Sequence, residues 1–561
     1  MRQAGSPVRI LALTACLAAG LVTFAGTAGA QTPRALPTLA PAPSDALTEA
    51  LETGELTEAE YALERARSLF QLVRVRREFG AVARPGPRDA TLILRDLAAR
   101  TRELSGAERA VAERILARPT DNRSVPIGTR YTVASEFTCG ADICVHWVES
   151  TADGVALTDT TPANGVWDWI DTVRATWENA WSEEIDTIGY REPLDDSSSN
   201  QTDGPAGGNK HKLDVYVADL GDDAVFGFCT SDDPNANVPT IYSVSAYCVV
   251  DNDYSASQYG IDHTAQEFLE VTSAHEFNHA SQFSYDWLDD YWLLEGTATN
   301  MEETVYPDVN DNVTFLELWS PLSRPGSPLD RGGTGDSEYG SWIFWRFLQE
   351  TIAGDDPGIV REIWERADAA FPGVSADDYS LLAVKNELTD RGLVFRDVFA
   401  QFGTANRLLD YSDAATAGYP LPPRTAAYGV GPGNPVIRWR SWTINHLATR
   451  FFSFTPGSAS PTDGRLRVEV RLPEHGARAT VIVLYTDDSV EIRQLNQGAS
   501  GYARWGSPFG RGDVKRVEVV LSNGSTRTAS CWTFPGPPSY SCLGRSLDDG
   551  RVFKLRAQLV P

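Results

Sequence analysis

The chain of 561 residues carries 76 Asp and Glu against 49 Lys and Arg, a net charge of −27 with a pI near 4.7, and 42% of its residues are hydrophobic. Such a composition, with 15 Trp, belongs to a folded globular protein with material for several cores, which sets aside the disordered and fibrous classes. A phosphate backbone or an anionic membrane would be repelled by most of this surface, so nucleic acid is not expected as a partner.

In chain order, Arg2 and Arg9 precede an apolar run from Ile10 to Phe24, and Ala28-Gly29-Ala30 fits a cleavage site. Residues 1–30 therefore read as a secretory signal peptide. LTAC, ending at Cys16, has the form of a lipoprotein box, but the apolar stretch before it is short and the residues after it stay apolar. No later stretch has the roughly eighteen or more apolar residues of a membrane span, so a secreted protein without one is expected. Beyond Cys16 the cysteines are Cys139, Cys144, Cys229, Cys248, Cys531 and Cys542. The even number and the export signal predict disulfides. Fifteen pairings are formally open, and the clustering favours 139 with 144, 229 with 248, and 531 with 542.

Residues 31–125 begin with a Pro/Ala-rich linker and continue with helical periodicity from Ala46 to about Leu116, where Ser105 is a candidate N-cap. Acidic residues dominate its first part and arginines the rest. Its place between a signal and the next domain suits a propeptide; a helical domain that stays attached is the plainer alternative. Residues 126–425 open with short strand-like segments, such as KLDVYVADL, around a helical GVWDWIDTVRATWENAWSEEI, and become helical from Thr264 to about Leu408. Residues 430–561 alternate in strand fashion, as in RLRVEVRL and VKRVEVVLSNGS, and predict an all-β sandwich.

Within the helical stretch, AHEFNHASQF places His275 and His279 four residues apart, on one face of a helix, with Glu276 beside them. Residues i and i+4 on a helix lie roughly 5–6 Å apart at Cβ, so both imidazoles can reach one zinc ion while the glutamate serves as general base to the attacking water. Downstream, DDYWLLEGTATNMEETVYPDVND allows a turn at Asp289-Asp290 and a returning helix that brings Glu295 to the histidines as third ligand. A carboxylate preceded by Trp292, Leu293 and Leu294 needs a partner. Glu302, seven residues on, lies on the same helical face and is a candidate to orient a ligand from behind. Tyr339, in SEYGSWIF, is the candidate oxyanion donor, with Tyr285 and Tyr291 as substitutes. Acidic turns at Asp195-Asp196, Asp251–Asp253 and Asp308–Asp311 could hold calcium, with solvated turns as the plainer account.

HEFNH followed by WLLEGTA resembles the gluzincin zinc peptidases, most visibly their aminopeptidase branch. HEFNHASQFSYD, EGTATNMEETVYPDVND, SEYGSWIFWRFL and SAYCVVDNDYS together look like a family of secreted bacterial metalloproteases, distantly similar to immune-inhibitor-A-type enzymes. The resemblance covers about Tyr131 to Glu365. It implies an α+β, thermolysin-like zinc peptidase domain with His275, His279 and Glu295 as ligands and Glu276 as general base, acting on a peptide or protein substrate. The sequence lacks the G-x-M-E-N segment that grips a free N-terminus, so an endopeptidase is expected. Thr299 stands where thermolysin-like enzymes have a carboxylate, and Glu302 is the candidate replacement. The alternative is an extracellular binding protein for protein or glycan, with an inactive or incidental zinc site.

Overall fold

The computed structural model describes residues 44–121, 129–196, 212–238, 240–331, 337–369, 378–458, 460–528 and 546–560. The described residues are of mixed helix and sheet, 38% helical and 22% strand, with a sheet-rich C-terminal part. The expected signal peptide and the pair Cys531 and Cys542 lie outside the described residues.

Five helices come first: α1 (Ala46–Thr53), α2 (Glu58–Phe70), α3 (Leu72–Phe79), α4 (Ala90–Arg100) and α5 (Gly106–Ile115). Local chemistry starts several of them. Thr57 with Glu60, and Ser105 with Glu108, form capping boxes that satisfy backbone donors at the starts of α2 and α5. Each residue of α4 is buried.

The next layer is a five-stranded sheet of β1 (Glu136–Cys139), β2 (Ile143–Trp147), β3 (Leu213–Ala218), β4 (Gly227–Thr230) and β5 (Tyr247–Asp251) in the order β1-β2-β3-β5-β4. β2, β3 and β5 run parallel and are buried along their whole length because both faces are covered, the polar His146, Asp214 and Asp251 included. β4 is an antiparallel edge strand. α6 (Asp168–Trp181) packs on β2 and on the helix Ala265–Asp286. Disulfides join Cys139 to Cys144 and Cys229 to Cys248, in each case directly opposed residues of neighbouring strands.

One hydrophobic core takes in α2, α4 and α5 together with the sheet, α6 and the helix Ala265–Asp286, so the N-terminal helices and the sheet have no core boundary between them. Arg84, Arg88, Arg95 and Arg118 of this segment reach the remainder of the chain. Arg118 is fully buried, with Asp196, Asp214 and Asp232 at 2.9–3.0 Å. Arg95 donates to the Asp289 carbonyl at 3.1 Å. Because the side chains of Arg118 and Arg130 are both buried, neither is presented to an arginine-specific protease in this form.

A second core is built from helices between Tyr285 and Tyr419, joined by Leu92, Ile188, Tyr190 and Leu447. A third fills the space between two sheets, one ordered β11-β10-β13-β8-β6 and the other β12-β9-β14-β7. Their strands are β6 (Ala426–Val430), β7 (Val436–Ile444), β8 (Ala448–Pro456), β9 (Arg465–Arg471), β10 (Ala477–Tyr485), β11 (Val490–Gln494), β12 (Tyr502–Pro508), β13 (Val514–Asn523) and β14 (Arg551–Val560). The first of these begins four residues ahead of the expected boundary at 430.

His446, in the turn between β7 and β8, bonds Asp330 of the helical part through Nε2 at 3.0 Å, and its backbone N–H donates to Asp549 at 3.0 Å. Burial alone would lower its pKa, but Asp330 and then Asp549 outweigh that and raise it above the ordinary value. A raised folded-state pKa means stabilisation that is full below about pH 6.5 and is lost as pH rises through the raised value. The melting temperature of His446→Gln should therefore fall furthest below that of the parent in mildly acidic buffer. A gap independent of pH would show that the imidazole is neutral throughout.

Candidate metal centre

The helix Ala265–Asp286 starts at a capping box of Thr264 and Glu267 and has no Pro or Gly in its 22 residues, so it runs unbroken through HEFNH. From Phe268 to Asp286 only Glu270 is not buried. After a turn at 287–290, the helix Tyr291–Val305 returns against it. On another side of this helix, Gly296 lets the segment 339–347 pack closely: a Cβ there would come within 2.3 Å of Ser341 Oγ and 2.6 Å of Trp345 Nε1. Gly227 does the same for β4, since a Cβ would meet Thr272 Cγ2 at 2.7 Å.

The packing of the helix Tyr291–Val305 on the helix Ala265–Asp286 brings His275, His279 and Glu295 together, all at most 1% exposed. His275 Nε2 lies 3.1 Å from His279 Nε2 and 3.1 Å from Glu295 Oε2, and His279 Nε2 lies 3.5 Å from the same oxygen. Zinc bonds of roughly 2.0–2.1 Å in a tetrahedron put ligand atoms about 3.3 Å apart, so the three atoms already stand at the spacing of zinc ligands.

The hydrogen bonds behind the trio decide what its atoms offer. Gln282 Nε2 reaches the Leu294 carbonyl at 3.0 Å as well as Asn278 Oδ1 and Thr297 Oγ1. A carbonyl only accepts, so the amide is fixed with Oε1 toward His279 Nδ1, 2.7 Å away, and that nitrogen must donate. His275 Nδ1 faces Glu302 Oε1 at 2.7 Å, which fixes the other ring in the same tautomer. Two Nε2 lone pairs and a carboxylate oxygen then converge on one point, and a cation is what satisfies them. A proton can also do so: burial alone would lower His275, but its bonds to Glu295 and Glu302 raise its pKa to about 9. Burial pushes Glu295 up, and the facing histidines overcome this and bring it down to about 2. Glu295 Oε1 is buried without a hydrogen-bond partner among the described residues.

Glu276 is buried beside the trio. Its Oε2 accepts from Thr91 Oγ1 at 2.8 Å and from the Cys229 N–H of edge strand β4 at 3.0 Å. Tyr339 is close, its ring 6.1 Å from that of His275, but its hydroxyl donates to Asp89 at 3.3 Å. The substitutes are engaged elsewhere: Tyr285 OH accepts from the Arg191 N–H at 2.7 Å, and the Tyr291 ring lies under Arg95. Arg88 forms ion pairs with Glu302 and with Asp311.

Arg88, Asp89, Thr91 and Gln282 are therefore parts of the site that sequence reasoning missed. Gln282 was within reach, three residues after His279. Nothing local marked Thr91, whose partner is 185 residues away. One carboxylate of each acidic turn has a partner within the chain: Asp196 holds Arg118, Asp251 accepts from the N–H groups of Leu220, Gly221, Asp253 and Tyr254, and Asp311 holds Arg88. Among the described residues, the one close cluster of metal-ligating side chains is the His275, His279 and Glu295 trio.

No family model and no curated protein matches the chain. Among solved structures it is similar to the pre-peptidase C-terminal domain of a Bacillus anthracis collagenase, at 12% identity and a TM-score of 0.15, over 24% of this chain and 97% of that one. A second is PliG of Aeromonas hydrophila, a periplasmic inhibitor of g-type lysozyme, at 10% identity and a TM-score of 0.14, over 24% and 96%. Scores this low carry no argument about fold or activity.

Proposed function

We propose that the chain is a secreted zinc-dependent metallopeptidase of the gluzincin kind, cleaving internal peptide bonds. The observation that carries this reading is the convergence of His275 Nε2, His279 Nε2 and Glu295 Oε2 at 3.1–3.5 Å with a buried carboxylate, Glu276, next to them. A metal scaffold alone has no use for Glu276. The two disulfides are compatible with an oxidising compartment.

Zinc at the trio would supply a Lewis acid that polarises the scissile carbonyl and lowers the pKa of the attacking water. Glu276 takes the proton of that water and delivers it to the leaving amine. Glu302 and Gln282 hold the two imidazoles in the tautomer that leaves Nε2 free to bind. Tyr339 is the donor for the developing oxyanion, a role its hydroxyl can take up once Asp89 withdraws. Thr91 on Glu276, Asp89 on Tyr339 and α4 over edge strand β4 make the N-terminal segment a cover over the site, in keeping with a propeptide. Zinc analysis of the purified chain, together with casein digestion before and after limited proteolysis and with and without chelator, tests the proposal. Zinc-loaded protein that cleaves nothing in any of these states would overturn it.

The ligands and their supports separate by metal content. Glu295→Ala is expected to lose the zinc, whereas Glu302→Ala keeps it with affinity weakened by about 10–100-fold. Elemental analysis after gel filtration reads both. A full complement of zinc in Glu295→Ala would remove that residue from the ligand set.

A further inference from the structure

The outer face of the sheet β12-β9-β14-β7 carries Arg465, Arg467, Arg471, Arg504, Lys554 and Arg556 and a single acid, Glu469, in a chain whose net charge is −27. Strand alternation sends Leu466, Val468 and Val470 of β9 into the sandwich core and leaves Arg465, Arg467 and Arg471 exposed on the other face. Register extends this across the sheet. Arg471 stands directly opposite Tyr502 on β12 and Lys554 on β14, and Glu469 stands opposite Arg504 and Arg556. The result is a grid of cations around one carboxylate, with positions about 4.8 Å apart between strands and about 6.8 Å apart along them.

Intramolecular pairing does not neutralise it. Glu469 is committed to Arg556, at 2.8 Å from Nη2, and to the Tyr502 hydroxyl. Among the described residues Arg467, Arg471, Arg504 and Lys554 form no ion pair, and Arg467 is only near enough to Glu469 to act on it through space. Like charges directly opposed, as in Arg471 and Lys554, destabilise a sheet. Lysine and arginine also guard sheet edges against strand addition, but β9 and β14 are interior strands, so that reason does not apply to them. Arg471 and Arg556 lie over the Trp439 ring, at 5.5 and 4.9 Å from its centroid, which places an aromatic side chain among the cations.

We propose that this face docks a linear acidic polysaccharide of the polyuronate type. Planar guanidinium groups donate two-pronged hydrogen bonds to carboxylates, Trp439 backs the guanidinium groups of Arg471 and Arg556, and the Tyr502 ring offers a surface for a sugar ring. A polyuronate carries one carboxylate to a ring, a sparser charge than a nucleic acid with its unit charge per roughly 1.7 Å of duplex. The strongly acidic remainder of the molecule repels a denser or broader polyanion, whether duplex or membrane, while a single thin chain can lie along the sheet. The proposal is independent of the zinc site.

Retention of the full-length protein on immobilised polygalacturonate tests it, with neutral dextran as the control matrix. The parent is expected to bind polygalacturonate at low ionic strength, release with salt and ignore dextran. Arg467→Glu with Arg471→Glu should weaken binding by at least about tenfold. Arg493→Glu, an exposed change on β11 of the opposite sheet, should leave it intact. Arg467→Gln with Arg471→Gln, checked for a parental melting transition, repeats the loss without charge reversal. No binding by the parent, equal retention on dextran, or undiminished binding by the folded Gln variant would each overturn the proposal. So would tighter binding to duplex DNA or to phosphatidylglycerol vesicles than to polygalacturonate.

Discussion

Glu276→Gln is expected to keep the fold and one equivalent of zinc while turnover of casein falls by about 10²–10⁴, the usual contribution of a positioned general base. The geometry supports this separation of roles. Glu276 Oε2 is held by Thr91 and by the Cys229 N–H, whereas the three converging ligand atoms belong to His275, His279 and Glu295. A glutamine can still accept those two hydrogen bonds, so the site should not collapse. Zinc content and hydrolysis, measured on the same preparation, check it. If the variant digests protein as fast as the parent, the activity lies elsewhere in the chain. If it loses the metal as well, Glu276 supports the ligand set and the division of labour is wrong.

The second large effect is on stability, at Arg118. Its guanidinium meets Asp214 at 2.9 Å, Asp196 at 3.0 Å and Asp232 at 2.9 Å, and it lies over the Tyr247 ring. Arg118→Met would leave three clustered carboxylates without their counter-ion, a loss on the order of 3–5 kcal/mol. Burial already raises Asp196 to about 6 while Arg118 pulls it down. Without the arginine, the folded variant holds protons to higher pH than its unfolded chain does, so its stability falls as pH rises. The deficit should be smallest near pH 5 and grow toward pH 8, read as the drop in melting temperature at each pH. A deficit that shrinks with rising pH would show that the aspartates are not the groups responsible. Because Arg118 ties the end of the N-terminal segment to β3 through Asp214, the variant should also be cut faster by trypsin.

The sequence by itself determined whatever is set by neighbours in the chain. The histidine spacing, the absence of Gly and Pro across Ala265–Asp286, and the capping pair Ser105 and Glu108 are satisfied within a turn or two of helix. Alternation along β9 is likewise a local property, and so is the clustering that paired Cys139 with Cys144 and Cys229 with Cys248. Glu302 was legible because seven residues return a side chain to the same helical face as Glu295. Only the tertiary structure decided which distant groups fill the remaining valences of the site. Thr91 reaches Glu276, Asp89 reaches Tyr339 and Arg88 reaches Glu302 across a core shared by the N-terminal helices and the sheet. The cationic grid arose in the same way, since strand order and register place Arg471 beside Lys554 although 82 residues separate them. A buried polar group takes whichever partner the packing delivers, and packing is decided by the burial of apolar surface over the whole chain, which no local pattern records.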